Sequence, residues 1–169
     1  MRRAGPGGWR WFGQARPPFA TAPGPGQESA WDCPRPPRLV PDDRHVEVLA
    51  GALRARETAS PPTRYLPAAD VRAELLAPAP GASSCEWKGT ARYWSVRAGD
   101  TVVERCAWSY PDPLPAFAAL RDHFAFYPGL LGCTVEGIPV LPQPGRFYAG
   151  WITPELVGPW KGAPGSEGW

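Results

Sequence analysis

The chain has no asparagine, two histidines and only two lysines among its eighteen basic side chains. Arginine fills the rest, which reads as the codon bias of a GC-rich genome. Its four cysteines, Cys33, Cys85, Cys106 and Cys133, form no Cys-x-x-Cys pair. The strongest zinc and thioredoxin-like signals are therefore missing. No apolar run is long enough to span a bilayer, and no apolar stretch follows Arg2-Arg3 to make a secretory signal. A net charge of +2 is too small to argue for nucleic acid or an anionic membrane as partner. No phosphate-cradling loop appears either: Gly5-Pro6-Gly7-Gly8 and Gly24-Pro25-Gly26 are interrupted by proline and lack the flanking strand and helix. Asp42-Asp43 and Glu74 stand apart, so no acidic pair offers itself to magnesium. These absences lead us to expect a cytoplasmic protein with reduced thiols, and no metal or cofactor.

What is abundant is proline, glycine and tryptophan: 24, 19 and nine of 169 residues. Proline and glycine at that share oppose long helices and favour short strands joined by many turns. A tryptophan buries much area but wants a partner for its N–H, so several are expected to line a cavity. The length fits one domain. Residues 1–26 are Gly-, Pro- and Arg-rich without period and are expected to be a flexible tail, with a single domain over 27–169.

Along the chain, Glu28 to Pro41 is held extended by its prolines, with Trp31 as an anchor. His45-Val46-Glu47-Val48-Leu49 alternates and predicts a strand. Pro61 to Pro67 reads as a short extended piece. A helix is expected from Pro67 through Val71, Leu75 and Leu76, stopped by Pro78 to Gly81. Ala91–Arg97 and Thr101–Trp108 predict a hairpin around Ala98-Gly99-Asp100. On its first strand Arg92, Trp94 and Val96 face one way, Ala91, Tyr93 and Ser95 the other. Pro115 to His123 suggests a short helix, and Phe124 to Pro128 a strand. Cys133-Thr134-Val135 and Ile138 to Leu141 predict a second hairpin, with Pro139 marking an edge. The segment from Pro142 to Trp169 is expected to wrap the domain, with its aromatics as anchors.

The chemistry-bearing residues concentrate between Cys85 and Tyr127. Lys88 sits between Trp87 and Gly89. It can hold an anionic group as a point charge, act as a nucleophile, or simply pack its stem on Trp87. Gly89 lets a ligand or another strand approach the backbone. Cys85 is either a thiol activated by Lys88 or a small hydrophobe. His123 is the one histidine downstream that offers a base, and a structural role is its alternative. Tyr93, Trp94, Trp108, Tyr110, Phe126 and Tyr127 come from elements expected to be neighbours. They either line a pocket for a planar ligand or pack the core. Asp112 can bond a ligand or close an ordinary Pro-Asp-Pro turn.

The pieces Tyr65-Leu66-Pro67 with Asp70-Val71, Cys85-Glu86-Trp87-Lys88-Gly89, Ala91-Arg92-Tyr93-Trp94, Ala107-Trp108-Ser109-Tyr110-Pro111-Asp112-Pro113 and Ala125-Phe126-Tyr127 resemble a bacterial family. It is the one labelled domain of unknown function 427, which has also carried a nucleotidyltransferase-like label. A Trp31-Asp32 lead-in and a Gly158-Pro159-Trp160-Lys161-Gly162 tail extend the resemblance over nearly everything after Gly26. It implies a mainly β domain, compact and β-tent-like, with antiparallel sheets and one or two short helices; it implies no settled activity. β-tent relatives often hold zinc on two Cys-x-x-Cys knuckles, and this chain has neither. Two departures stand out: the first strand region is shortened around Leu49-Ala50-Gly51, and Arg64 precedes Tyr65 where an aromatic is common.

Three readings of function stay open. The first is a module binding a small polar or anionic ligand in an aromatic pocket around Lys88. The second is an enzyme that uses Lys88 or Cys85, with His123 as base. The third is a domain whose Trp-rich ends contact other proteins. Ligand identity and oligomeric state are not set by the sequence.

Overall fold

The computed structural model describes residues 10–11, 13–48, 52–145, 147–167 and 169, with backbone alone for 52–57. Leu49 of the expected first strand and residues 1–9 of the expected tail lie outside the described residues. The strands are Glu28–Ser29 (β1), Arg38–Asp42 (β2), Val46–Glu47 (β3), Ala52–Glu57 (β4), Ser60–Pro67 (β5), Leu76–Cys85 (β6), Gly89–Ala98 (β7), Thr101–Ser109 (β8) and His123–Phe126 (β9). Five two-residue strands follow: Thr134–Val135 (β10), Ile138–Pro139 (β11), Leu141–Pro142 (β12), Trp151–Ile152 (β13) and Leu156–Val157 (β14). The protein is mainly β. The helical pieces among the described residues are short 3-10 turns, the longest Pro115–Leu120.

Seven strands make one antiparallel sheet in the order β2-β4-β5-β9-β8-β7-β6. The β7–β8 hairpin forms as expected, with Tyr93 opposite Trp108 and Ala98 opposite Thr101. The second hairpin also forms, Thr134 pairing with Pro139, and β3 adds to it through Val46 and Val135. The helix expected through Val71, Leu75 and Leu76 does not form. Ala68–Asp70 and Ala73–Leu75 are single 3-10 turns, and Leu76 starts β6. The reason is position in the sheet. β6 is an edge strand, paired on one side only, which is where a sheet tolerates Pro78 and Pro80, and its register shifts between Ala79 and Ala82 around Pro80 and Gly81. Pro61 and Pro62 sit where β5 is paired only with β4, at another register shift.

The strand period of two sorts the core. Tyr65, Ala125, Trp108 and Tyr93 form one cross-strand row. They lie on one face with Tyr110, Phe117, Leu120 and Ala149. Their chain neighbours Leu66, Phe126, Ala107 and Trp94 lie on the other face, against Val46, Val135 and Trp151. Arg64 is fully buried on that second side. Its Nε donates to Asp42 Oδ2 at 3.1 Å, and its guanidinium lies 5.6 Å from the Trp151 ring centre. A buried arginine thus replaces the expected aromatic, with a carboxylate and an indole to meet its charge and its plane.

A third cluster joins the chain's two ends. Trp31 is buried with its indole N–H donating to Pro159 O at 3.0 Å. Phe19 packs edge-on to Trp31 and stacks on Trp169, with centroids 5.2 and 5.0 Å apart. Of the stretch expected to be a tail, Trp11 is buried, and Thr21 donates its N–H to Gly158 O at 2.9 Å.

Candidate ligand-binding site

The site begins with a hairpin loop. Cys85 pairs with Gly89, so Glu86, Trp87 and Lys88 form a three-residue connection between β6 and β7. Such loops close with a residue at positive φ, and Gly89 has φ of 100°. A Cβ there would stand 3.2 Å from Asp112 O, because Gly89 also bridges to Pro113. Leu114 N–H donates to Lys88 O at 3.1 Å. These bonds fold Lys88 back toward the sheet, where its Nζ sits 5.7 Å from the Phe117 ring centre.

Lys88 is 7% exposed. Its Nζ donates to Cys85 Sγ at 3.9 Å, and among the described residues no carboxylate lies within ion-pair range of it. A buried ammonium normally has an anionic partner. This one instead borders a cavity of about 380 Å³ on the first face of the sheet.

The lining carries a compositional signal. All five tyrosines of the chain, Tyr65, Tyr93, Tyr110, Tyr127 and Tyr148, border the cavity, and so do both lysines, Lys88 and Lys161. Trp87 and Trp108 add indoles, and Glu86 is an exposed carboxylate at the edge. Burial, then Tyr110, pushes the Tyr65 phenol well up; burial, then Cys85, pushes up Tyr110. Burial and then Tyr93 push Tyr127 up to about 12. These phenols stay protonated at neutral pH. Tyr93 OH donates to Ser83 Oγ at 2.8 Å, and the Arg105 guanidinium lies 4.3 Å from the Tyr93 ring centre.

Of the candidates drawn from the sequence, Lys88, Cys85, Tyr93, Trp108, Tyr110 and Tyr127 come together at this cavity. The others do not. Trp94 and Phe126 lie on the opposite face, where Trp94 Nε1 donates to Ser109 Oγ at 2.9 Å. Asp112 is exposed, 3.5 Å from Arg121 Nη1. His123 is on β9 with Nδ1 2.8 Å from Arg121 O and is outside the cavity lining. Gly89 shapes the loop rather than the lining. Sequence reading missed Tyr65, Gln143, Tyr148 and Lys161. The scarcity of lysine was the available signal: a chain that uses arginine almost everywhere keeps lysine at two places, and both are here.

The far wall is formed by Gln143, Phe147, Tyr148, Ala149 and Lys161. Buried Gln143 holds it: its Nε2 donates to Lys161 O at 2.8 Å, and its Oε1 accepts from Gly150 N–H at 3.1 Å. Lys161 N–H donates to Ala59 O at 2.7 Å, just before β5. Gly150 packs so closely that a Cβ would stand 2.5 Å from Pro61 O.

The order and spacing of Tyr65-Leu66-Pro67, the Trp87-Lys88-Gly89 loop and the Trp108-to-Pro113 strand end are matched by a family model, described as Domain of unknown function (DUF427), over residues 33–137. The chain belongs to the DUF427 family. The match covers more than half of the chain and includes Lys88 and four of the cavity's tyrosines. The wall with Gln143, Tyr148 and Lys161 lies beyond the part of the chain matched to DUF427. Among curated proteins, none matches the chain. Among the described residues no three of His, Cys, Asp and Glu gather at metal-binding range, and no helix is long and apolar enough to cross a membrane.

Proposed function

We propose that the protein binds a small, flat, acidic molecule in the tyrosine-lined cavity, with Lys88 meeting its acidic group. One observation carries this reading: Lys88, only 7% exposed, borders a cavity of about 380 Å³, and among the described residues no carboxylate lies within ion-pair range of it. An anion entering the cavity supplies the missing counter-charge in a place of low dielectric, where such a bond is strong. The rings of Trp87, Trp108 and Tyr127 offer faces to a planar body. The volume is within the range of small-molecule sites. Two lysines in the lining argue against a cationic guest. An enzyme built on Lys88 or Cys85 would lack the base that the sequence offered, since His123 is not at the cavity.

The test is a thermal-shift panel of aromatic carboxylates and aryl phosphates on the wild type and on Lys88→Met. At about a hundred times Kd a ligand stabilises the native state by about 2.7 kcal/mol, which for a chain of this size raises Tm by roughly 5–10 °C. The wild type is expected to shift with at least one compound and Lys88→Met with none of those. No shift with any compound, or equal shifts in both proteins, contradicts the reading.

A further inference from the structure

Cys85 is set apart from the other three cysteines. Cys33, Cys106 and Cys133 are buried. Burial pushes the Cys106 thiol up, and burial followed by Cys106 pushes Cys133 up to about 12. Cys85 is half-buried and borders the cavity. A second, independent observation points to the same spot. Lys88 is buried, and among the described residues its ammonium has no carboxylate within ion-pair range. What it meets is Cys85 Sγ at 3.9 Å and the Phe117 ring. The loop fixes this meeting, because Cys85 pairs with Gly89 and Leu114 N–H donates to the Lys88 carbonyl. A sulfur that borders a cavity and faces a cation is in the setting where cysteines react.

We propose that Cys85 is a modification site for hydroperoxides, and that its oxidised side chain becomes the anion Lys88 lacks. The sulfur attacks one oxygen of hydrogen peroxide. The S–O bond forms, the O–O bond breaks, and the departing oxygen takes the thiol's proton and leaves as water. Thiol and peroxide thus give a sulfenic acid and water, with sulfur oxidised and peroxide oxygen reduced. The Lys88 ammonium meets the charge that grows on the departing oxygen. A second peroxide adds a second oxygen in the same way, giving a sulfinic acid and another water. That acid is ionised at neutral pH. The 3.9 Å contact between Nζ and Sγ is weak, but an oxygen on the sulfur brings the pair to a charge-assisted hydrogen bond of about 2.7–2.9 Å. The buried ammonium is then paired. This step uses the ammonium on which the ligand-binding reading rests, but it needs no ligand. Where both hold, oxidation fills the place of the ligand's acidic group and shuts the site.

The test exposes the wild type, Lys88→Met and Cys85→Ser to stepped doses of hydrogen peroxide, quenches with catalase and maps added oxygen by tandem mass spectrometry. Fragment ions separate oxygen on Cys85 from oxygen on Trp87, and dimedone in a parallel sample traps the sulfenic acid. Cys85 is expected to react about tenfold or more faster than Cys33, Cys106 or Cys133, and Lys88→Met to slow it about fivefold or more. The comparison among the wild type's own cysteines needs no variant. Once Cys85 is driven to the sulfinic acid, Lys88→Met is expected to lose about 3 °C or more of Tm beyond what the wild type loses, since its sulfinate has no cation. Cys85→Ser gives the effect of oxygen added elsewhere. A Cys85 rate no faster than that of the buried cysteines, or one untouched by Lys88→Met, overturns the modification site. Equal Tm changes in wild type and Lys88→Met overturn the pairing. If acids of the panel shift the wild type while Cys85 is inert to peroxide, this inference falls alone. If Cys85 reacts as expected and no acid binds, the ligand-binding reading falls alone. Circular dichroism before treatment checks that each variant is folded.

Discussion

At the scale of the residue, the proposed function rests on Lys88, and Arg64 shows the contrast. Both are buried cations. Arg64 has Asp42 at 3.1 Å and the face of Trp151. Lys88 has a thiol and the Phe117 ring. Burial without an anionic partner costs stability, and replacing such a group with an apolar side chain of similar shape is often neutral or favourable. Lys88→Met is therefore expected to unfold in urea at the same free energy as the wild type or about 1 kcal/mol higher. A loss of stability greater than that would mean Lys88 is held by contacts that serve the fold. The alternation of the β7 strand was legible here, and it carries a lesson. If Tyr93 faces the cavity, Trp94 cannot, because successive side chains leave opposite faces of a strand. Gathering all the aromatics of the region into one pocket ignored the period that had already divided them.

At the scale of the element, the Glu86-Trp87-Lys88 loop and the edge strand before it position the site. The loop needs Gly89 for two reasons: its φ of 100° and the approach of Asp112 O. Gly89→Ala is expected to cost about 1–3 kcal/mol and to weaken binding further by displacing Lys88, while leaving the Tyr65–Trp108–Tyr93 row intact. Urea unfolding and the thermal-shift panel read both effects. An alanine variant as stable and as responsive as the wild type would show that the loop is not under this constraint. The hairpins were legible from period-two patterns and from Ala98-Gly99-Asp100. β6 was not, because Pro78, Pro80 and Gly81 look like stop signals in a linear reading. Only the sheet order, which puts β6 at the edge, makes those prolines acceptable.

At the scale of the whole molecule, the cavity is made by two parts of the chain that are distant in sequence. The sheet supplies Lys88 and the inner rings; Gln143, Phe147, Tyr148, Ala149 and Lys161 supply the outer wall. Trp31, Phe19 and Trp169 tie both ends of the chain to one cluster, and Trp31 bonds the same closing segment at Pro159. That the C-terminal segment is rich in tryptophan was legible in composition. Its part in the cavity was not, because no local pattern says that Lys161 returns to the start of β5. Composition held one clue: two lysines in a chain of arginines.

That clue also provides the most direct measurement. Lysine labelled with carbon-13 at Cε gives two side-chain signals in this protein, and Lys88→Met assigns them. We expect the Lys88 signal to move saturably on titration with the acid of the thermal-shift panel that raises Tm most. If both signals keep their positions up to millimolar probe, and with every other acid of the panel, the cavity does not take an anion at Lys88 and the account fails.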